Sequence, residues 1–238
     1  MPETPSEKES PPDFPRNKPR PPVLALENIK VPDEGGLVYG PLNLSLDPGE
    51  KVLVRTDNTS VVAALIRVIL ATRGPLEGRV FFQNKRMETR LDTLERAGLY
   101  KKIGLVCDFL GLIARLTVHD NILAYYLYHS PENPRELERR TRDLLHGLGF
   151  SQSLMDASFA SLHKVQKNLA SLALTLAKEP PLMLLERPKY RLGRFFPRSW
   201  ERILECSAAS GGAILALALQ SEDYQDLGFD KTIDLLGG

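Results

Sequence analysis

The sequence predicts an α/β fold: a parallel-sheet core with an antiparallel β edge and an inserted helical subdomain. Three observations predict it. Lys51–Arg55 is an apolar strand run that leads through a short loop into the apolar helix Val61–Ala71. Leu182–Leu185 and Ala213–Leu219 are unbroken apolar runs, the pattern of strands buried on both faces. Between these two regions, residues 116–176 carry helical periodicity almost throughout.

The elements follow in order. Residues 1–22 are crowded with proline and charge and read as a disordered, polyproline-like leader, followed by one domain over 23–238. Val23–Ile29 and the alternating Leu42–Leu46 are predicted strands, the second ending at the Pro48-Gly49 turn. Gly78–Gln83 is a further strand and leads to Ile103–Cys107. The helical subdomain runs from about 109 to 176. Within this region Val118–Tyr128 is apolar, Pro134–Leu148 is amphipathic, and Leu162–Ala177 is strongly periodic and stopped by Pro180-Pro181. An amphipathic helix around Trp200–Ser207 separates the two buried strands, and Thr232–Leu235 is a last short strand.

Composition narrows the function classes. A net charge of +1 on 238 residues gives no broad pull toward nucleic acid or anionic lipid. Cys107 and Cys206 lie far apart without metal spacing, as in a reducing cytoplasm. No run of about 20 apolar residues occurs, so no membrane-spanning helix is expected. His119, His129, His146 and His163 do not cluster with carboxylates or thiols at ligand spacing.

The strand–loop–helix at 51–66 has the layout of G-x-x-x-x-G-K-[ST], a loop whose backbone N–H groups cradle phosphates. Thr56 and Val61 stand at the glycine positions, Val62 at the lysine and Ala63 at the magnesium-binding hydroxyl. Valine resists the positive φ that glycine adopts cheaply, and neither Val62 nor Ala63 replaces the missing charge or oxygen. Asn58 and Ser60, on either side of Thr59 in the degenerate loop, remain as polar contacts. Taken alone, the segment is better read as an ordinary strand–turn–helix, which is common in α/β proteins.

From Leu26 to the C terminus the order of segments resembles the ATP-binding subunit of ABC transporters, a P-loop NTPase-like fold. Leu44–Glu50 is similar to the turn before that family's Walker A loop. Ile103–Asp108 and Leu116-Thr117-Val118-His119-Asp120-Asn121-Ile122 look like the Q-loop strand and the "LTV-x-E-N" helix start. Leu162-His163-Lys164-Val165-Gln166 sits where the family writes LSGGQ. Leu182–Leu185 with Glu186-Arg187-Pro188 falls on Walker B, "LLLLDEP". The resemblance places Asp108 at the Q-loop glutamine, Glu186 at the Walker B aspartate and Arg187 at the catalytic glutamate. Gly193 falls at the D-loop aspartate, and Leu219 or Gln220 near the switch histidine. The family's adenine-stacking aromatic is expected near Pro32 or Asp33; Tyr39 is aromatic but offset.

An arginine cannot accept a proton from water. One donor to a transition-state charge is worth about 2.7–4 kcal/mol. These replacements predict that the chain is not an enzyme and takes no cofactor, with ATP and magnesium kept only as an alternative. The core strands carry no polar intrusions, which predicts a fold in use.

The resemblance implies a catalytically inactive cassette subunit, structural or regulatory, peripheral on the cytoplasmic side of a bacterial inner membrane. Its implied partners are a permease and a second ATPase subunit or another copy, not nucleic acid. Phe109, Leu110, Leu112 and Ile113 lie where the family docks its permease, and Tyr125-Tyr126-Leu127-Tyr128 is a second candidate contact surface. The "LTV-x-x-N-I" segment is most similar to exporters and Mla-type lipid-transport ATPases, which implies a hydrophobic or lipid substrate. A soluble scaffold without a permease and a divergent, weakly hydrolysing ATPase are the alternatives.

Overall fold

Alternation of side chains builds two sheets. The coordinates are a computed structural model describing residues 21–89, 91–106 and 112–237. The first sheet is antiparallel, with order β2–β1–β4–β5, from β1 (Leu24–Pro32), β2 (Val38–Leu46), β4 (Glu77–Phe82) and β5 (Lys85–Arg86). The second is parallel, with order β6–β7–β8–β3–β9, from β3 (Lys51–Thr56), β6 (Ile103–Val106), β7 (Leu182–Glu186), β8 (Ala213–Leu219) and β9 (Lys231–Asp234).

Strands β3, β6, β7 and β8 of the parallel sheet are buried on both faces, and their period of two sorts them between two cores, while the edge strand β9 is mostly exposed. Val52 and Val54 of β3, Leu182 and Leu184 of β7, and Leu215 and Leu217 of β8 face one cluster. Leu53, Met183, Leu185, Ile214 and Ala216 face the other. Helix α1 (Thr59–Ile69) lies in the first cluster and touches both β1 and the parallel strands, so it is apolar almost all round. The second cluster is covered by α3 (Val118–His129), α4 (Pro134–Gly147), α6 (Lys164–Ala177) and α8 (Phe196–Ser210).

Element ends follow local chemistry. Asn58 accepts the N–H of Ser60 at 2.9 Å, so α1 starts two residues before the predicted Val61. It ends before Ala71, whose φ of 52° is left-handed. Helix α6 begins at Lys164 rather than Leu162, where Gln166 reaches back to the His163 N–H at 3.0 Å. The predicted Trp200–Ser207 helix is the middle of the longer α8.

Helix α2 (Thr93–Lys102) is absent from the sequence reading, and buries only Leu99. The short α5 (Gln152–Met155) and α7 (Pro188–Leu192) complete the described elements. Gly104 on β6 allows α6 to come close: a Cβ there would stand 2.5 Å from Thr175 Cγ2 and 2.6 Å from Pro180 Cγ. Among the described residues no helix is long and apolar enough to cross a membrane.

Candidate functional site at the carboxyl end of the parallel sheet

The chemistry-bearing segments converge where β3, β7 and β8 end, the edge at which open parallel sheets bind ligands. The β3–α1 loop is tied to the β1–β2 turn. Asn58 Nδ2 donates to Asp33 Oδ2 at 3.0 Å, Tyr39 Oη to Asp57 Oδ1 at 2.9 Å, and the Glu34 N–H to Ser60 Oγ at 3.3 Å. An open depression of about 290 Å³ remains, lined by Asp33, Glu34, Asn58, Thr59, Ser60 and Ala63. Tyr39 is bonded to the loop rather than laid out as a stacking platform. Asn58 and Ser60, the remaining polar contacts of the sequence reading, are engaged with each other, Ser60 Oγ donating to Asn58 Oδ1 at 2.9 Å. Thr56 is buried, and its carbonyl accepts the Gln220 N–H at 2.9 Å, joining the loop to the end of β8.

Val61 and Val62 point into the core, 0% and 1% exposed. Ala63 is half-buried and carries no oxygen. Among the described residues no group of three or more His, Cys, Asp or Glu could hold a metal ion. Thr59 and Ser60 keep hydroxyls at the depression, while Val62 and Ala63 present neither a cation nor an oxygen. At the start of α1 the Asn58 side chain caps the helix, accepting the Ser60 N–H at 2.9 Å.

At the end of β7 two arginines pair with two carboxylates. Arg187 Nε donates to Glu222 Oε1 at 3.0 Å, and the second oxygen of Glu222 accepts the Leu219 N–H at 3.1 Å. Arg187 also lies over the Tyr190 ring, 4.3 Å from its centroid. Its backbone is left-handed, φ 42° and ψ 57°, immediately before Pro188, and its N–H donates to Leu217 O at 2.8 Å. That conformation costs about 1–2 kcal/mol for a non-glycine residue and marks a constrained position. Glu186 pairs with Arg191, whose carbonyl accepts from Asn168 Nδ2 at 2.9 Å. The backbone N–H of Lys189 donates to the Tyr224 hydroxyl at 3.2 Å, and burial pushes that phenol up. Sequence reasoning missed Glu222, Arg191 and Tyr224. Only an unpaired buried arginine in the reading could have signalled that such partners were needed.

The LSGGQ-like segment is brought near the same end. Leu162 is buried, His163 and Lys164 are exposed, and Val165 and Gln166 are half-buried. A Cβ on Gly193 would lie 3.9 Å from Val165 Cγ1, so these two matched positions are neighbours.

Asp108, Phe109 and Leu110 lie outside the described residues. Leu112 is half-buried and Ile113 is 57% exposed. Asn121 fixes this turn: its Oδ1 accepts the Ile113 N–H at 2.7 Å, and its Nδ2 donates to Ile113 O at 3.1 Å and Thr117 O at 2.8 Å. Of the tyrosine cluster, Tyr126 is buried beneath Arg140, 4.7 Å from its ring, while Tyr128 is 82% exposed.

Residues 39–189 match the ABC transporter family. The chain is 25% identical over 222 residues to the lipoprotein-releasing system ATP-binding protein LolD of Aquifex aeolicus, covering 91% of this chain and 95% of that protein. It is 29% identical over 169 residues to the sulfate/thiosulfate import ATP-binding protein CysA of Halalkalibacterium halodurans, covering 69% of this chain but 45% of that longer protein. Among solved structures, the dimeric bacterial ABC transporter cassette MJ0796 superposes with a TM-score of 0.71 at 19% identity, covering 90% of this chain and 94% of that one.

Two expectations are corrected by these matches. The sequence predicted no enzyme and no cofactor, yet the chain matches a family whose relatives are named as ATP-binding proteins of transport systems. The prediction argued from Val61, Val62 and Ala63 in the loop and from Arg187 after β7, and the match to relatives named as ATP-binding proteins overturns it. The predicted fold class stands, because an antiparallel sheet, a parallel sheet and a helix between them are laid out as in solved cassettes. With its matched segments gathered at one sheet end and the family match covering more than half of its length, the chain belongs to the ABC transporter family.

Proposed function

We propose that this chain is the ATP-binding-type subunit of a membrane transport system, held on the cytoplasmic face of a permease and paired with a second cassette subunit or another copy of itself. The observation that carries this reading is Ile113, an exposed apolar side chain on a turn pinned by buried Asn121. The turn lies between β6 and α3, where the sequence resemblance puts the permease-docking surface. A single exposed apolar side chain is ordinary on a protein surface; what singles out Ile113 is that Asn121 pins its turn at the place the resemblance assigns to docking. Half-buried Leu112 beside it extends the proposed contact.

The cargo is a hydrophobic or lipid-linked molecule. Similarity along nearly the whole chain to LolD, named for lipoprotein release, supports that choice over a small inorganic anion.

Membrane fractionation followed by purification in mild detergent tests the reading. The expected result is a membrane-associated pool, removable by alkaline wash, that co-purifies with a polytopic membrane protein. A wholly soluble monomer that captures neither a permease nor a second cassette overturns it and favours a soluble scaffold.

A further inference from the structure

A second cavity lies at the other end of α1 from the phosphate-type loop, about 16 Å away at 1.5 Å per helical residue. It holds about 200 Å³. Its walls are Leu70 just past α1, Ile103 and Leu105 on β6, and Leu174 on α6, with the Tyr100 ring at one side and the hydroxyl side chains Ser171 and Thr175 also lining it from α6. Lys178, the residue that follows α6, lines the same space.

Lys178 is half-buried, and among the described residues no carboxylate lies within 4.0 Å of its ammonium. Burial alone lowers its pKa, with no neighbouring charge acting in either direction. The arrangement is therefore a largely apolar cavity lined also by two hydroxyl side chains, with one partly desolvated cation that has no counter-charge among the described residues. Desolvating an ammonium is unfavourable until an anion meets it.

The shape and chemistry decide between ligand classes. Inorganic phosphate would satisfy the ammonium but leave the leucine and isoleucine walls against water. A nucleotide is too large, since a dry cavity of about 150 Å³ is filled by a single benzene. A carboxylate carrying an unbranched chain of about eight carbons satisfies both features on that same scale of volume.

We propose that this cavity binds a medium-chain monocarboxylate, its head group on Lys178 and its chain against Leu70, Ile103, Leu105 and Leu174. The site is separate from the nucleotide-type loop and from the Ile113 surface, so it stands or falls independently of the transport reading.

Titration of the full chain with octanoate, followed by calorimetry, tests the proposal, with octan-1-ol as the uncharged probe. Saturable one-to-one binding of octanoate is expected, weakened about tenfold or more by Lys178→Met, while octanol binds both proteins alike. Reductive methylation of the unmutated chain supplies a readout that needs no variant. Octanoate is expected to slow modification of Lys178 several-fold relative to the other lysines, read by peptide mass spectrometry. Equal octanoate affinity in Lys178→Met, or an unprotected Lys178 in saturating octanoate, overturns the proposal. Absence of saturable binding to the unmutated chain overturns it too.

Discussion

Asn121 and Ile113 hold each other by a reciprocal pair of hydrogen bonds, the Ile113 N–H donating to Asn121 Oδ1 at 2.7 Å and Asn121 Nδ2 donating to Ile113 O at 3.1 Å. A buried side-chain amide thus fixes an exposed apolar residue. Nδ2 also donates to Thr117 O at 2.8 Å, so the same amide ties the turn to the start of α3.

Asn121→Ala removes the partners of part-buried backbone groups at Ile113 and Thr117, at a cost of about 0.5–1.5 kcal/mol. The melting temperature is expected to fall by about 2–4 °C for each kcal/mol in a chain of this size. Amide exchange should rise over residues 112–117 while the strands of the parallel sheet stay protected. A melting point unchanged from the parent would remove Asn121 as the anchor of this turn.

Arg187 and Glu222 form the second relationship that the account rests on. Their side chains are 20% and 15% exposed, so removing one leaves the other partly desolvated. Arg187→Ala and Glu222→Gln should each destabilise the chain by about 1–3 kcal/mol. The double variant is expected to lose less than the sum, because contacting charges are coupled. A double-mutant cycle in urea checks this, and simple additivity would mean that the pair carries no interaction.

Acid sensitivity is expected at the β3–β9 edge. The Lys51 backbone N–H donates to Asp230 Oδ2 at 2.7 Å, and this bond holds the carboxyl below the ordinary aspartate value of 3.8. A carboxyl whose folded pKa is depressed contributes stability that is fully present above its unfolded value and is lost as pH falls through the folded value. Asp230→Asn is therefore expected to be less stable than the parent at pH 7, with the gap closing below about pH 4. Thermal melts of both proteins between pH 7 and pH 3 measure it. A gap that widens on acidification would show the opposite sign of linkage.

Much of the fold was legible because buried parallel strands write themselves as apolar runs. Leu182–Leu185 and Ala213–Leu219 needed no partner information to be read as strands. Helix α2 was not legible by the same route, since with only Leu99 buried it presents no periodic apolar stripe. Its real signal was polar: Asp92 accepts the Glu95 N–H at 2.8 Å, and Glu95 reaches back to the Asp92 N–H at 3.3 Å, a capping box.

At the candidate site the positions of Val61, Val62, Glu186 and Arg187 were readable from spacing. Glu222 was not, because it stands 35 residues from Arg187 in sequence and meets it only when β7 and β8 pair. The reading that the chain has no enzyme activity and no cofactor failed too. It rested on Val61, Val62, Ala63 and Arg187, and residues at matched positions did not show that the chain's relatives are named as ATP-binding proteins.

Site-specific photo-crosslinking tests the central claim most directly. A benzophenone amino acid placed at Ile113 in cells is expected to give an ultraviolet-dependent adduct with a polytopic membrane protein. The same probe at the exposed Leu94 on α2 should give none. No adduct from position 113, or the same adducts from both positions, would contradict the account.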